Sequence, residues 1–245
     1  MSVKQNAFRM LSKNKIKFIK SLQQKKFRNE HQKFIVEGRK GVLALLDSNL
    51  EVDEVFCSEF IAQNYSEINQ MNPFIVDESF LEKASGLKNN REAIAIVNQK
   101  EFSGLDWSKE ILYLDGVSDP GNLGTIIRTA EWFGIAQIVC SPNCVDFFNP
   151  KVVQSTMGAY AFKQPFVLSV VELLKQKPED VPIFVTAFGG GSPNQLVGIK
   201  KGVLVMGSES HGVSEYWGED VTEITIPSHP DTKAESLNVG IATSI

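Results

Sequence analysis

The 245-residue chain has no long apolar run: nothing approaches the ~20 apolar residues that a bilayer-spanning helix needs, and no apolar stretch of the secretion-signal kind stands at the N-terminus. These absences exclude a helical membrane protein and predict a cytoplasmic one. Cysteine is scarce. Cys57, Cys140 and Cys144 are an odd number, which fits a reducing compartment better than a disulfide framework. Cys140 and Cys144 stand four apart with no histidine near them, so neither zinc nor any other metal is predicted. A G-x-G-x-x-G turn with its downstream acid is also missing, which disfavours a nucleotide-binding oxidoreductase. Internal repeats and low-complexity tracts are absent. With 42% apolar and 22% charged residues, the chain has material for packed cores and too little charge for global disorder.

Charge is unevenly placed. Overall, 25 basic residues face 29 acidic ones for a net −4, which argues against a generic polyanion binder. Residues 1–41 differ: twelve Lys or Arg, from Lys4 to Lys40, stand against Glu30 and Glu37, a local charge of +10. The remaining residues carry −14. A basic arm on an acidic body points to a polyanionic partner such as RNA, held through phosphates without sequence specificity. The same lysines also read as a solvated helix face. Lys13, Lys15, Lys17, Lys20, Arg28 and Arg39 are the candidate RNA contacts.

Periodicity divides the chain. Residues 1–100 read as a small α/β module: a basic helix over Lys13–Gln24 with Ile16, Ile19 and Phe18 or Leu22 inward, then a strand at Phe34–Val36. A helix follows over Arg39–Leu46, with strands at Val52–Cys57, Phe74–Val76 and Ala93–Val97 and helices near Phe60 and over Phe80–Ala84. Residues 101–109 are polar and read as a linker. From 110 to 245 short apolar strands (Ile111–Leu114, Ile138–Cys140, Ile183–Ala187, Val203–Met206, Ile224–Ile226) alternate with helices (Thr125–Phe133, Lys151–Tyr160, Ser169–Lys175, Ser236 onward), the pattern of a parallel sheet covered on both faces. The last helix is short, either brief by nature or trimmed.

Three turns marked by glycine or proline follow buried-strand patterns here, and strand ends are where α/β folds bind ligands. They are Asp119-Pro120-Gly121-Asn122-Leu123-Gly124 running on to Arg128, then Gly207-Ser208-Glu209-Ser210-His211-Gly212, then Ile226-Pro227 followed by Ser236-Leu237-Asn238-Val239. Taken singly these residues have plain readings. Asn122 is a turn residue, Arg128 a surface charge and Glu209 a solvated carboxylate, while Ser236 and Asn238 mark a helix N-terminus with Ser236 as its cap. His211, His229 and His31 are not expected to be catalytic. Phe188-Gly189-Gly190-Gly191-Ser192 reads as a flexible turn bordering a cleft.

In combination and order, the three motifs, with Asn149-Pro150-Lys151, Ser155, Gly158 and Ala159 between the first two, resemble the SpoU (TrmH-type) RNA 2′-O-ribose methyltransferases. That resemblance implies an α/β catalytic domain of the SPOUT type with a deep trefoil knot that binds S-adenosylmethionine bent. It also implies a homodimer with residues of both subunits near each site, no metal, and an N-terminal RNA-binding domain opening at Phe34-Ile35-Val36-Glu37-Gly38-Arg39. The implied catalytic residues are Arg128, Asn122, Glu209, Ser236 and Asn238; the implied cofactor contacts are Met206, Gly207, Gly212, Ile226, Pro227, Leu237 and Asn238. Glycines at 207 and 212 would let backbone amides approach an adenine or ribose, with Ile226 and Leu237 sandwiching the base. A guanidinium stays protonated, so Arg128 is expected to bind a phosphate and polarise the 2′-hydroxyl rather than act as a plain base. The implied substrate is structured RNA, ribosomal ahead of transfer RNA; a silent RNA-binding paralogue is the alternative. The polar Ser228–Ala234 segment is longer than the family's usual loop, which leaves the backbone path beside the cofactor open.

Overall fold

A computed structural model describes residues 13–100 and 104–245. Lys4 and Arg9 of the basic arm and residues 101–103 of the expected linker lie outside the described residues. Chain packing separates two units, residues 1–101 with 148–162, and residues 102–147 with 163–245. The segment Phe148–Phe162, expected in the catalytic part, thus packs with the N-terminal residues.

The first unit opens with α1 (Lys13–Ser21) and α2 (Lys25–His31) where one helix was expected. Arg28 explains the break. Its guanidinium is buried, with Nη1 donating to the carbonyls of Leu22 at 3.0 Å and Gln23 at 2.8 Å, groups a continuous helix would have used itself. β1 (Lys33–Glu37), α3 (Arg39–Ala44), β2 (Val52–Cys57), α4 (Glu59–Asn64), β3 (Phe74–Ile75), α5 (Glu78–Ala84) and β4 (Ala93–Asn98) follow. The sheet order is β1-β4-β2-β3, with β4 antiparallel to both neighbours and β2 parallel to β3. Ile19 and Leu22 bury the apolar side of the basic N-terminal segment against Ile35, Phe56, Phe80 and Ile94. Each such side chain is worth about 1.5–3 kcal/mol, enough to hold a short lysine-rich helix that would not persist alone.

The second unit holds β5 (Glu110–Asp115), α6 (Pro120–Trp132) and β6 (Gln137–Cys140). After α7 (Pro150–Ser155), which packs with the first unit, it resumes with β7 (Phe166–Val167), α8 (Val170–Gln176), β8 (Ile183–Gly191), β9 (Gly202–Gly207), β10 (Thr222–Ile224) and α9 (Val239–Ser244). Its six strands are ordered β10-β8-β9-β5-β6-β7, and every pair is parallel. The central strands read as continuous apolar runs because both faces are covered: Ile111, Tyr113, Val203 and Val205 are buried.

Several boundaries differ from expectation. α6 starts at Pro120 rather than Thr125, because Asp119 caps it and proline suits the first helical position. α7 stops at Ser155, where Met157 and Gly158 take positive φ and reverse the chain into a short 3₁₀ turn. β8 runs through the glycines expected to form a turn. β10 crosses beside them, and a Cβ on Gly190 would stand 2.7 Å from the Glu223 carbonyl carbon. β10 itself ends at Ile224, after a register shift that pairs Ile224 with Gly191. α9 begins at Val239, and its cap is Asn238, not Ser236.

Candidate functional site

Three segments far apart in sequence meet at one carboxylate. Asp119 accepts the Asn122 amide at 2.8 Å, which holds Asn122 in the first turn of α6. Its Nδ2 donates to Glu209 Oε1 at 3.1 Å. Asn238 Nδ2 donates to the same oxygen at 2.7 Å and to Asn122 Oδ1 at 2.9 Å, and the Val239 amide adds a hydrogen bond to Glu209 Oε1 at 3.2 Å. Asn238 is fixed from behind, since its Oδ1 caps α9 by accepting from the Gly240 and Ile241 amides. Glu209 Oε2 has no hydrogen-bond partner among the described residues, so half of this carboxylate is left for another cation.

Glu209 owes its position to two glycines. Ser208 and Gly212 exchange backbone hydrogen bonds at 2.9 Å each, closing residues 208–212 into a tight loop that Gly212 turns at φ 66°. The loop folds back on Gly207, where a Cβ would fall 2.3 Å from the Gly212 carbonyl carbon. Only glycine fits there.

Beside the carboxylate lies a cavity of about 470 Å³ at the carboxyl ends of β8 and β9. Met206, Gly207, Gly212, Ile226, Ser236 and Leu237 line it, and so does Glu209. Pro227 and Asn238, named as cofactor contacts, do not line it; Asn238 acts on it through Glu209. Arg128 also stands apart. It is exposed on α6 in a stripe with Thr125 and Trp132, and among the described residues it makes no ion pair, so within one chain it is not paired to Glu209. His211 is exposed with its Nδ1 2.7 Å from Ser210 Oγ, and His229 lies in the exposed Ser228–Ala234 segment, where its carbonyl accepts from Thr232.

The basic residues divide as well. Lys13, Lys17 and Lys20 are exposed at helical spacing on one side of α1, whereas Lys15 is paired with Glu54 at 2.7 Å. Arg28 is 2% exposed and braces the turn after α1, so the structure removes it from the candidate RNA contacts. Arg39 lies 3.9 Å from Glu92, with its guanidinium 4.1 Å from the Tyr65 ring centre.

Sequence reading missed one wall of the cavity. Asp115, nearly buried at the end of β5, accepts from the Ser214 amide at 2.9 Å and from Trp217 Nε1 at 3.1 Å. This holds Ser214 and Trp217 against the cavity, and Ser214 Oγ is buried there without a hydrogen-bond partner. A strand-end acid was the available signal. An orphaned hydroxyl, apolar walls from Met206, Ile226 and Leu237, and a backbone cradle that a Cβ at residue 207 would fill together fit the adenosine part of S-adenosylmethionine. Among the described residues no group of three His, Cys, Asp or Glu could hold a metal ion, and no helix is long and apolar enough to cross a membrane.

A parallel α/β sheet with a nucleoside-sized cavity at its strand ends, edged by amides gathered on one carboxylate, defines an enzyme that works with a nucleotide-like cofactor. Relatives narrow that class. Residues 109–245 match the model of the SpoU rRNA methylase family, and residues 13–95 match that of the MRM3-like substrate binding domain. The chain belongs to the SpoU rRNA methylase family. It is 30% identical over 236 residues to the 23S rRNA (guanosine(2553)-2′-O)-methyltransferase RlmP of Bacillus subtilis (strain 168), covering 94% of this chain and 93% of that one. A TrmH-family structure from Porphyromonas gingivalis superposes with a TM-score of 0.84 at 33% identity, over 96% of both chains. An AdoMet-bound rRNA methyltransferase from Sinorhizobium meliloti gives 0.81 at 27% identity, over 96% of this chain and 92% of that one.

Proposed function

We propose that this protein methylates the ribose 2′-hydroxyl of a nucleotide in ribosomal RNA, acting as a homodimer in the cytoplasm. It is an S-adenosylmethionine-dependent RNA 2′-O-ribose methyltransferase. Residues 1–100 hold RNA, residues 101–109 link, and residues 110–245 carry out the transfer; the trefoil knot belongs to the same proposal. The observation that carries the site assignment is the shared acceptor Glu209 Oε1, which gathers Asn122, Asn238 and Val239 beside the cavity.

Bound S-adenosylmethionine supplies an electrophilic methyl group on a sulfonium, and the chain's own groups prepare the nucleophile. Leu237 and Ile226 would bracket the donor's base, and Met206, Gly207 and Gly212, which line the same cavity, would hold it close to backbone. Arg128 binds the phosphate beside the target ribose and polarises the 2′-hydroxyl, whose proton passes to water as the methyl group transfers, since a guanidinium cannot accept it. Glu209 keeps Asn122 and Asn238 in place through Oε1 and offers Oε2 to a guanidinium. Ser236, exposed at the cavity edge, orients the ribose. Such an arrangement also aligns the hydroxyl with the methyl group, which lowers the entropic part of the barrier.

Arg128 reaches the cavity from the second subunit. Support for the dimer comes from α6 and α9, which pack closely enough that a Cβ on Gly240 would be 3.4 Å from Thr125 Cγ2. Large apolar side chains are exposed on both helices and at their C-terminal ends, Trp132 at 84% and the following Phe133 at one, Ile241 and the terminal Ile245 at the other. The test is calorimetry with S-adenosylmethionine and with NAD, followed by tritiated methyl transfer to ribosomal RNA and nuclease mapping of the modified ribose. Donor binding and 2′-O-methyl formation are expected. Binding of NAD alone would overturn the reading, and donor binding without transfer to any RNA would mark a silent paralogue.

A further inference from the structure

A second cleft, of about 350 Å³, lies wholly within the first unit. Three segments wall it: the turn from β1 into α3, residues 87–92, and the end of α7 through Gly158. Its frame is fixed. Glu37 Oε1 accepts from Ser85 Oγ at 2.5 Å and from the Gly86 amide at 2.8 Å. Glu92 accepts the Arg39 amide at 3.1 Å, buried Asn90 donates to the Ala93 carbonyl at 3.0 Å, and Tyr160 donates its hydroxyl to the Gly41 carbonyl at 3.0 Å.

Glu37, Asn90 and Glu92 of this frame also line the space, with their hydrogen bonds already committed, and other lining groups are left unused. Lys40, Asn89 and Gln154 are exposed lining residues whose side chains make no hydrogen bond or ion pair among the described residues. Arg39, also in the lining, stands over the Tyr65 ring at 4.1 Å and lies 3.9 Å from Glu92, so Tyr65 covers one face of a guanidinium whose other face is available for stacking. Met157 holds its half-exposed thioether at the rim from a backbone φ of 52°, a conformation that non-glycine residues adopt at a cost. One ammonium, two amides, a stacking plane and a thioether are the chemistry that holds an unpaired nucleotide: phosphate, base edge and base face.

We propose that this cleft captures a single unpaired nucleotide of the RNA, other than the methylated one. Its base stacks on Arg39, its edge is read by Asn89 and Gln154, and its phosphate meets Lys40. The inference rests on the reading of the first unit as the RNA-holding part and supplies it with a point of base recognition, which the exposed lysines of α1 lack.

The test measures binding of the full-length protein to transcribed 23S rRNA over a salt series, with methyl transfer followed in parallel. Asn89→Ala with Gln154→Ala is expected to weaken binding about tenfold and leave the salt slope unchanged. Lys40→Gln is expected to weaken binding and reduce the slope by about one. Transfer in both should show a raised KM for RNA with kcat retained. Wild-type protein photo-crosslinked to 4-thiouridine-substituted rRNA should yield adducts mapping to residues 87–92 or 153–158. Unchanged affinity in both variants, with wild-type methylation intact, would overturn the cleft and leave the proposed function standing. Weakened binding in the variants of a protein that transfers no methyl group would do the reverse, and a wild-type protein that binds no rRNA would overturn both.

Discussion

Glu209 is the residue on which the site turns, and Asn238 tests its role. Asn238→Ala removes a helix cap, worth about 1 kcal/mol, and two donors to polar partners, one of them a carboxylate worth about 1.5–3 kcal/mol. We expect a lower melting temperature and a fall in kcat/KM of about tenfold or more. Asn238→Asp keeps the cap but places a second carboxylate against Glu209, so it should hold its melting temperature better while losing as much activity. An Asn238→Asp variant with wild-type stability and full activity would reduce Asn238 to a cap. Arg128→Ala should abolish methylation while donor affinity, read by calorimetry, stays within a few-fold; an active variant would remove Arg128 from the mechanism. Cys144 offers a pH readout. The hydrogen bond from Cys140 lowers its thiol to about 7, further bonds from Ser141 and from backbone amides act the same way, and burial opposes them, whereas burial alone pushes Cys57 up to about 12. Iodoacetamide at pH 8 should therefore label Cys144 far ahead of Cys57, with the rate rising through pH 7, as peptide mass spectrometry would show. Motif order singled out Asn122, Glu209 and Asn238 as site candidates, whereas the hydrogen bonds that join them come only from the fold. Asp115 and Ser214 were not legible, because a buried acid serving backbone and indole N–H groups looks like any strand-end aspartate.

At the scale of elements, strands were read more faithfully than helix ends. Apolar runs such as Ile111–Leu114 fix a buried strand wherever its neighbours lie, whereas the start of α6 depends on whether Asp119 bonds forward to Asn122. α1 shows the limit of charge counting. Twelve basic residues in the first 41 suggested a uniform arm, but Arg28 is spent on carbonyls and Lys15 on Glu54. Lys13, Lys17 and Lys20 remain exposed on one side of the helix. Changing these three to glutamine should weaken RNA binding and lower the salt slope by roughly 0.7–0.9 for each phosphate that the protein no longer neutralises. A slope identical to wild type would return α1 to an ordinary solvated surface.

For the whole molecule, the open question is whether each site draws on two chains. Mixing refolded Arg128→Ala and Asn238→Asp subunits gives a direct answer: random pairing into two-fold dimers with shared sites should restore roughly a quarter of wild-type activity. Two cis sites would restore none. Charging the exposed indole position, Trp132→Glu, should shift the mass in light scattering to that of one 27.2 kDa chain and remove methylation with it. A monomeric variant with full activity would sink the two-chain site. The hydrogen bond from Asn238 to Asn122 spans 116 residues, and it has a consequence for synthesis. A growing polypeptide that already displays its lysine-bearing helix can steady Glu209 through Asn122 alone until residue 238 has left the translating ribosome. Abortive fragments would grip transcripts yet never alkylate them, so proteolytic clearance of such products should protect the cell's methylation pattern.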